Sequence, residues 1–143
     1  MINLPVRRKL TTRTLNSFVS GYKFESIMDH ADGQAILIAH KESAKQDLQS
    51  HERVFLKIGL ERDTIHSIRR EYQILKDIEH PHIVKPVDSL KGTVHQQKYR
   101  RMVLPYFKNG DLWSLTQRCE GLGEEVARVY ASQILDALHH LHS

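Results

Sequence analysis

Short apolar runs separated by polar stretches fill the first two thirds of the chain, and a helical period replaces them twice. Val54-Phe55-Leu56 is apolar, Lys57 interrupts it and Ile58 resumes it, which predicts a buried strand carrying one cation. A polar hinge, Glu61-Arg62-Asp63, follows. Apolar side chains then recur at Ile65, Ile68, Tyr72, Leu75 and Ile78, the three-four spacing of an amphipathic helix starting near Thr64. On that helix Glu71 falls between Leu75 and Ile78, inside the apolar arc. A carboxylate aimed into a core needs a partner, because burying an unpaired charge costs several kcal/mol. Lys57 has the same need, so the two charges are expected to meet.

The same pattern predicts the other elements. Tyr22 to His40 reads as two strands joined around Asp29-His30-Ala31-Asp32-Gly33. Lys41 to Glu52 is polar, helix-compatible and without an apolar stripe, an excursion between strands. Asp88 to Lys98 reads as a turn region around Lys91-Gly92-Thr93. Tyr99 to Asp111 reads as a buried strand ending in a turn. Gly123 to His142 predicts a second helix, with Val126, Tyr130, Ile134, Ala137, Leu138 and Leu141 on one face. Glu124 and Glu125 suit the positive end of its dipole.

Composition narrows the class without naming a function. A chain of 143 residues holds one domain of ordinary size, and 40% hydrophobic with 27% charged residues is that of a soluble globular protein. A net charge of +4, spread along the chain, gives no argument for a nucleic-acid partner. Cys119 is the single cysteine, which rules out an internal disulfide and fits a reducing compartment. No apolar run approaches the roughly 18 residues of a membrane span, so no membrane partner is expected. His139, His140 and His142 crowd one helix, but no cysteine or carboxylate stands at ligand spacing, and metal binding is the weaker reading. Met1 to Ser20 carry Arg7, Arg8, Lys9 and Arg13 and no acid. That also describes a mitochondrial transit peptide, an alternative that stays open. Pro5 and the weak apolar stripe favour a flexible extension of a cytoplasmic, intracellular protein.

Several of these runs resemble a known family. Val54-Phe55-Leu56-Lys57 resembles the V-A-I-K strand of eukaryotic-type protein kinases. Arg70-Glu71-Tyr72-Gln73-Ile74-Leu75 looks like the helix that carries that lysine's glutamate partner. His80-Pro81-His82-Ile83-Val84-Lys85 is similar to the family's "H-P-N-I-V" turn into its fourth strand. Asn109-Gly110-Asp111-Leu112 is similar to its "G-G-D-L", and the second helix ends on the familiar "L-H-S". The resemblance covers about Tyr22 to Ser143, the first half of a kinase domain. It implies an α+β fold: a five-stranded antiparallel sheet flanked by one main helix, then a short and a long helix. Residues 1–21 would be the basic extension, 22–110 the sheet lobe and hinge, and 111–143 the start of a helical lobe.

The resemblance also implies a site. Lys57 and Glu71 would be its catalytic ion pair, and ATP with magnesium its cofactor. Nucleotide would lie among Ile27, Gly33, Ala35, Phe55, Lys57, Leu104, the backbone of Pro105, Tyr106 and Phe107, and Asp111. The carbonyl of Pro105 would accept from adenine and the amide of Phe107 would donate, roles that proline's missing N–H does not disturb. Departures weaken the expected affinity. The family's G-x-G-x-x-G loop keeps only its third glycine, Gly33, with Met28 and His30 at the other two places. Asp29 and Asp32 add negative charge near a triphosphate. Phe55 replaces the alanine that lies against adenine; Ala35 could offset its bulk, or Phe55 could fill the purine slot.

The catalytic His-Arg-Asp loop and the magnesium-binding Asp-Phe-Gly would follow Ser143, so the chain alone is not expected to transfer phosphate. Two readings compete: the first half of an ATP-dependent Ser/Thr protein kinase acting on a protein substrate, or a pseudokinase-like module that binds a partner without chemistry. A small-molecule phosphotransferase fits the "H-P-H-I-V" and "N-G-D-L" runs less well. The apolar face of the second helix is expected to drive self-association if it stays uncovered.

Overall fold

The computed structural model describes residues 16–31, 33–42 and 52–143. Arg7, Arg8, Lys9, Arg13, Asp32 and most of the polar excursion between Lys41 and Glu52 lie outside the described residues.

Five strands form one antiparallel sheet: β1 (Tyr22–Ala31), β2 (Gln34–Lys41), β3 (Arg53–Gly59), β4 (Asp88–Val94) and β5 (Gln97–Pro105), in the order β1-β2-β3-β5-β4. Helix α1 (Arg62–Leu75) enters between β3 and β4 in sequence and packs on β3 and β5. Helices α2 (Leu112–Arg118) and α3 (Glu124–His142) follow. This is the expected α+β arrangement.

Alternation sorts the sheet's side chains onto two faces. Ala35, Leu37 and Ala39 of β2 pair with Ile58, Leu56 and Val54 of β3, and all six are buried. Val103 and Tyr99 of β5 complete this outer-face core. Its cover comes from the segment before β1. Phe18 and Val19 are 2% and 3% exposed, so the flexible extension expected over residues 1–21 does not include them. Phe18 meets Tyr99 edge-on at 5.1 Å. Arg101, on the same face, is only 3% exposed. Its Nη1 donates to the carbonyls of Phe18 (3.2 Å) and Ser20 (3.0 Å), and its guanidinium lies 5.0 Å from the Tyr22 ring centre.

The inner face carries α1. Ile68 and Met102 are fully buried between helix and sheet. The helix begins at Arg62 rather than Thr64, because Thr64 Oγ1 accepts from the Glu61 amide at 3.1 Å and closes the first turn. It ends at Leu75, so Ile78 lies beyond it. No strand forms over 80–85, where one was expected to start.

Two turns differ from expectation. Lys91-Gly92-Thr93 is not a turn: β4 runs straight through it, and the reversal falls at His95 and Gln96, with φ of 47° and 67°. Gly92 is needed for packing instead. A Cβ there would sit 2.6–2.7 Å from the ring of Tyr99, its cross-strand partner. The β1–β2 connection is also tighter than expected. Asp29, His30 and Ala31 belong to β1, opposite Ile36, Ala35 and Gln34, and register shifts at Phe24/Ser26 and Ile27/Asp29 absorb two extra residues.

Candidate nucleotide site

β3 delivers Lys57 to the inner face, and α1 brings Glu71 over it. Lys57 Nζ lies 2.7 Å from Glu71 Oε2, with side chains 21% and 35% exposed. The pair the sequence predicted therefore forms, half shielded from water. The outer core fixes the strand, and Ile68 fixes the helix.

The register decides what surrounds the pair. Lys57 stands opposite Ile36 on β2 and Met102 on β5, and Phe55 stands opposite Ile38 and Leu104. Ile36 and Ile38 thus share the inner face with Lys57. Ala35, expected in the cleft, is 1% exposed in the outer core. Pairing with Ile58 rather than Lys57 sets this face, and a one-residue offset moves a side chain through the sheet. Volume compensation between Phe55 and Ala35 is excluded by the same fact. Ile27 pairs with Leu37 and is largely exposed.

Gly33 sits at the hairpin tip with φ of 76°. Its carbonyl accepts from the Leu60 amide at 2.8 Å and lies 3.0 Å from Thr64 Oγ1. A Cβ on Gly33 would come within 2.4 Å of the Glu61 side chain, so a carboxylate lies across the tip. Leu104 and Pro105 end β5 and are half-buried. Phe55's ring centre lies 5.1 Å from that of Tyr106 and 6.3 Å from that of Phe107. Asp111 caps α2: its Oδ1 accepts from the Ser114 amide at 2.7 Å, and this bond holds its carboxyl below the usual range. The structure therefore gathers Phe55, Lys57, Glu71, Leu104 and the 105–107 segment. It sets Ala35 apart from them, and gives Asp111 a capping contact.

Sequence reading missed the residues beside this group. Glu25 on β1 holds Arg53 Nη2 at 2.8 Å and His40 Nε2 at 2.7 Å, and Arg53 lies 5.4 Å from the Tyr106 ring centre. It also missed the joint that carries α3. Asp136 Oδ2 lies 3.2 Å from His80 Nε2 and 3.9 Å from His82 Nε2, and His80 stacks on His140 at 4.9 Å. The joint's only sequence signal was "H-P-H" ahead of a helix with Asp136 and His140 four apart. Among the described residues, no group of three or more His, Cys, Asp or Glu side chains is placed to hold a metal ion. None of the helices among the described residues is long and apolar enough to cross a membrane.

A five-stranded antiparallel sheet whose central strand presents a lysine to a glutamate on one packed helix is the arrangement of the kinase sheet lobe. The sequence profile of the protein kinase domain matches residues 28–143, and the chain belongs to that family. It is 28% identical over 141 residues to the serine/threonine-protein kinase RAD53 of Saccharomyces cerevisiae, covering 94% of this chain and 16% of that protein. It is 27% identical over 108 residues to mitogen-activated protein kinase kinase kinase 2 of Arabidopsis thaliana (76% and 14%). It is 36% identical over 72 residues to the cAMP-dependent protein kinase catalytic subunit of Schizosaccharomyces pombe (50% and 13%). The chain thus spans about a sixth or less of each of these relatives.

Proposed function

We propose that this chain forms the nucleotide-binding half of an ATP-dependent protein kinase directed at serine or threonine. The observation that carries the reading is the 2.7 Å Lys57–Glu71 pair linking sheet to helix. In this reading the Lys57 ammonium binds the nucleotide phosphates, and Glu71 holds it in place. The base lies against Leu104 and the 105–107 backbone, between Ile36 and Ile38 on one side and the hinge on the other. That inner face is apolar and close to a cation, which suits a flat base bearing an anionic tail. The described residues offer no cage for magnesium. The serine/threonine direction is supported by the names of the relatives.

Titration with ATP and magnesium, read as a thermal shift, tests the reading. The parent is expected to bind weakly and Lys57→Ala to bind less; equal binding by both would place the nucleotide elsewhere. A second reading, a partner-binding module without nucleotide, is favoured by Glu61 lying across Gly33 and by the ring of Phe55 in the cleft. A parent that gives no shift at any ATP concentration would select it.

A further inference from the structure

The inner face between Lys57 and the hinge is closed by rings of this chain itself. Phe55 lies two residues before Lys57 on β3, hence on the same side of the sheet, with Ile38 and Leu104 as its cross-strand neighbours. Its ring leans on Tyr106 at 5.1 Å and on Phe107 at 6.3 Å. The Arg53 guanidinium lies over the Tyr106 ring, 5.4 Å from its centre. Arg53 is anchored in turn by Glu25, whose other oxygen meets His40 Nε2. One continuous set of contacts therefore runs from β1 through β2 and β3 to the hinge and ends on the Phe55 ring.

We infer that Phe55 is a gate on this cleft, closed against Tyr106 and Phe107, and that a heteroaromatic base enters only when its ring swings away. The inference rests on the nucleotide reading and assigns a regulation to that site. Slots that stack a flat ring are lined by aliphatic edges and aromatic faces. Ile38 and Leu104 are the edges, Tyr106 is the face, and Phe55 supplies the ring now present. A site whose competent form is only a fraction of the population binds with an affinity reduced by that fraction. Two ring contacts hold the gate shut, and Arg53 stiffens one of them. The gate acts on the base alone, so it taxes adenosine and ATP by the same factor, whereas Lys57 acts on the phosphates and affects ATP only.

Calorimetric titration of the chain with magnesium-ATP and, separately, with adenosine tests this. Phe55→Ala is expected to tighten both ligands by about tenfold, as removal of a mostly closed state requires. Arg53→Ala is expected to give a smaller gain in the same direction. Phe55→Leu keeps the position packed while removing the ring, and it decides the matter if the alanine variant fails to fold. Unchanged or weaker binding by the folded Phe55 variants, with Lys57→Ala still weakening ATP, would overturn the gate and leave the nucleotide site standing. Failure of every variant to bind either ligand would overturn both. A gain for ATP without one for adenosine would also sink the gate, because the effect would then lie at the phosphates.

Discussion

Leu56 and Leu138 are the same side chain in two situations. Leu56, on β3, is fully buried in the outer-face core that residues 18–20, the strap before β1, help to cover, whereas Leu138, on α3, is 42% exposed. The contrast holds for their whole regions. Ten of the described residues form one continuous buried core on the outer face of the sheet, and no residue of α2 or α3 is buried. Helix α3 meets the rest of the chain through the contacts of Asp136 and His140 with His80 and His82, and along a groove of about 440 Å³ lined by His82, Ile83, Val84 and side chains of the helix itself. A sheet can close its core with neighbouring strands. A lone amphipathic helix cannot, and it needs a surface from outside itself.

The largest test of this contrast is Leu56→Ala. Truncating a fully buried leucine costs about 2–5 kcal/mol, a large share of a margin of about 5–15 kcal/mol. Leu138→Ala is expected to cost under about 1 kcal/mol. Denaturant melts of both variants measure the difference, and similar losses would mean that α3 shares the sheet's core. Next in size is Arg101→Ala, which leaves two carbonyls of the strap without their donor and is expected to cost about 1–3 kcal/mol. Hydrogen exchange should quicken over residues 18–22 and stay slow in α1; uniform change would mean that Arg101 supports the whole sheet.

The exposed face of α3 gives a smaller energetic effect with a clear readout. The chain is expected to self-associate through Ile134, Leu138 and Leu141, and Leu138→Glu with Leu141→Glu should abolish it while leaving the melt of the sheet within about 0.5 kcal/mol. Light scattering across a concentration series reads this; a parent that stays monomeric throughout would mean the face is already satisfied. Smallest is the cap of α2. Asp111 has a lowered carboxyl in the folded chain, so its contribution is present above the ordinary carboxylate value and lost as pH falls through the folded one. Trp113, on α2 and 73% exposed, reports fraying there by fluorescence. Asp111→Ala should remove the acid-side change, and its persistence would assign it to another group.

What was legible in the sequence follows the same division of forces. Lys57 and Glu71 could be paired in advance because each was a charge in an apolar arc, and burial leaves such charges one solution. Phe55, Leu104 and the hinge came with them by position along known strands. Ala35 was misplaced because its face follows from strand pairing, opposite Ile58 and not Lys57, which motif spacing does not mark. β4 was hidden because Gly92 looks like a turn residue, whereas its missing side chain makes room for Tyr99, five residues beyond the strand's end. The strap was hidden because Phe18-Val19 is too short a run to show a period. Arg101 could have been suspected as Lys57 was, since it too is a cation in an apolar strand, but its partners are backbone carbonyls that no sequence pattern marks.

Besides the buried Ile68, polar contacts pin helix α1 at two points. Its first turn is tied through Thr64 and Leu60 to the Gly33 carbonyl, and Glu71, about 10 Å further along at 1.5 Å per residue, is tied to Lys57. The two pins differ in kind. The first is a set of backbone and hydroxyl bonds at the hairpin tip, and the second is a single half-exposed ion pair. Loss of either charge, as in Glu71→Gln, releases only the second. The helix is then held by its first turn and by Ile68, which stays buried against the sheet. Mechanically, the ion pair is a latch and the glycine carbonyl a fixed pin.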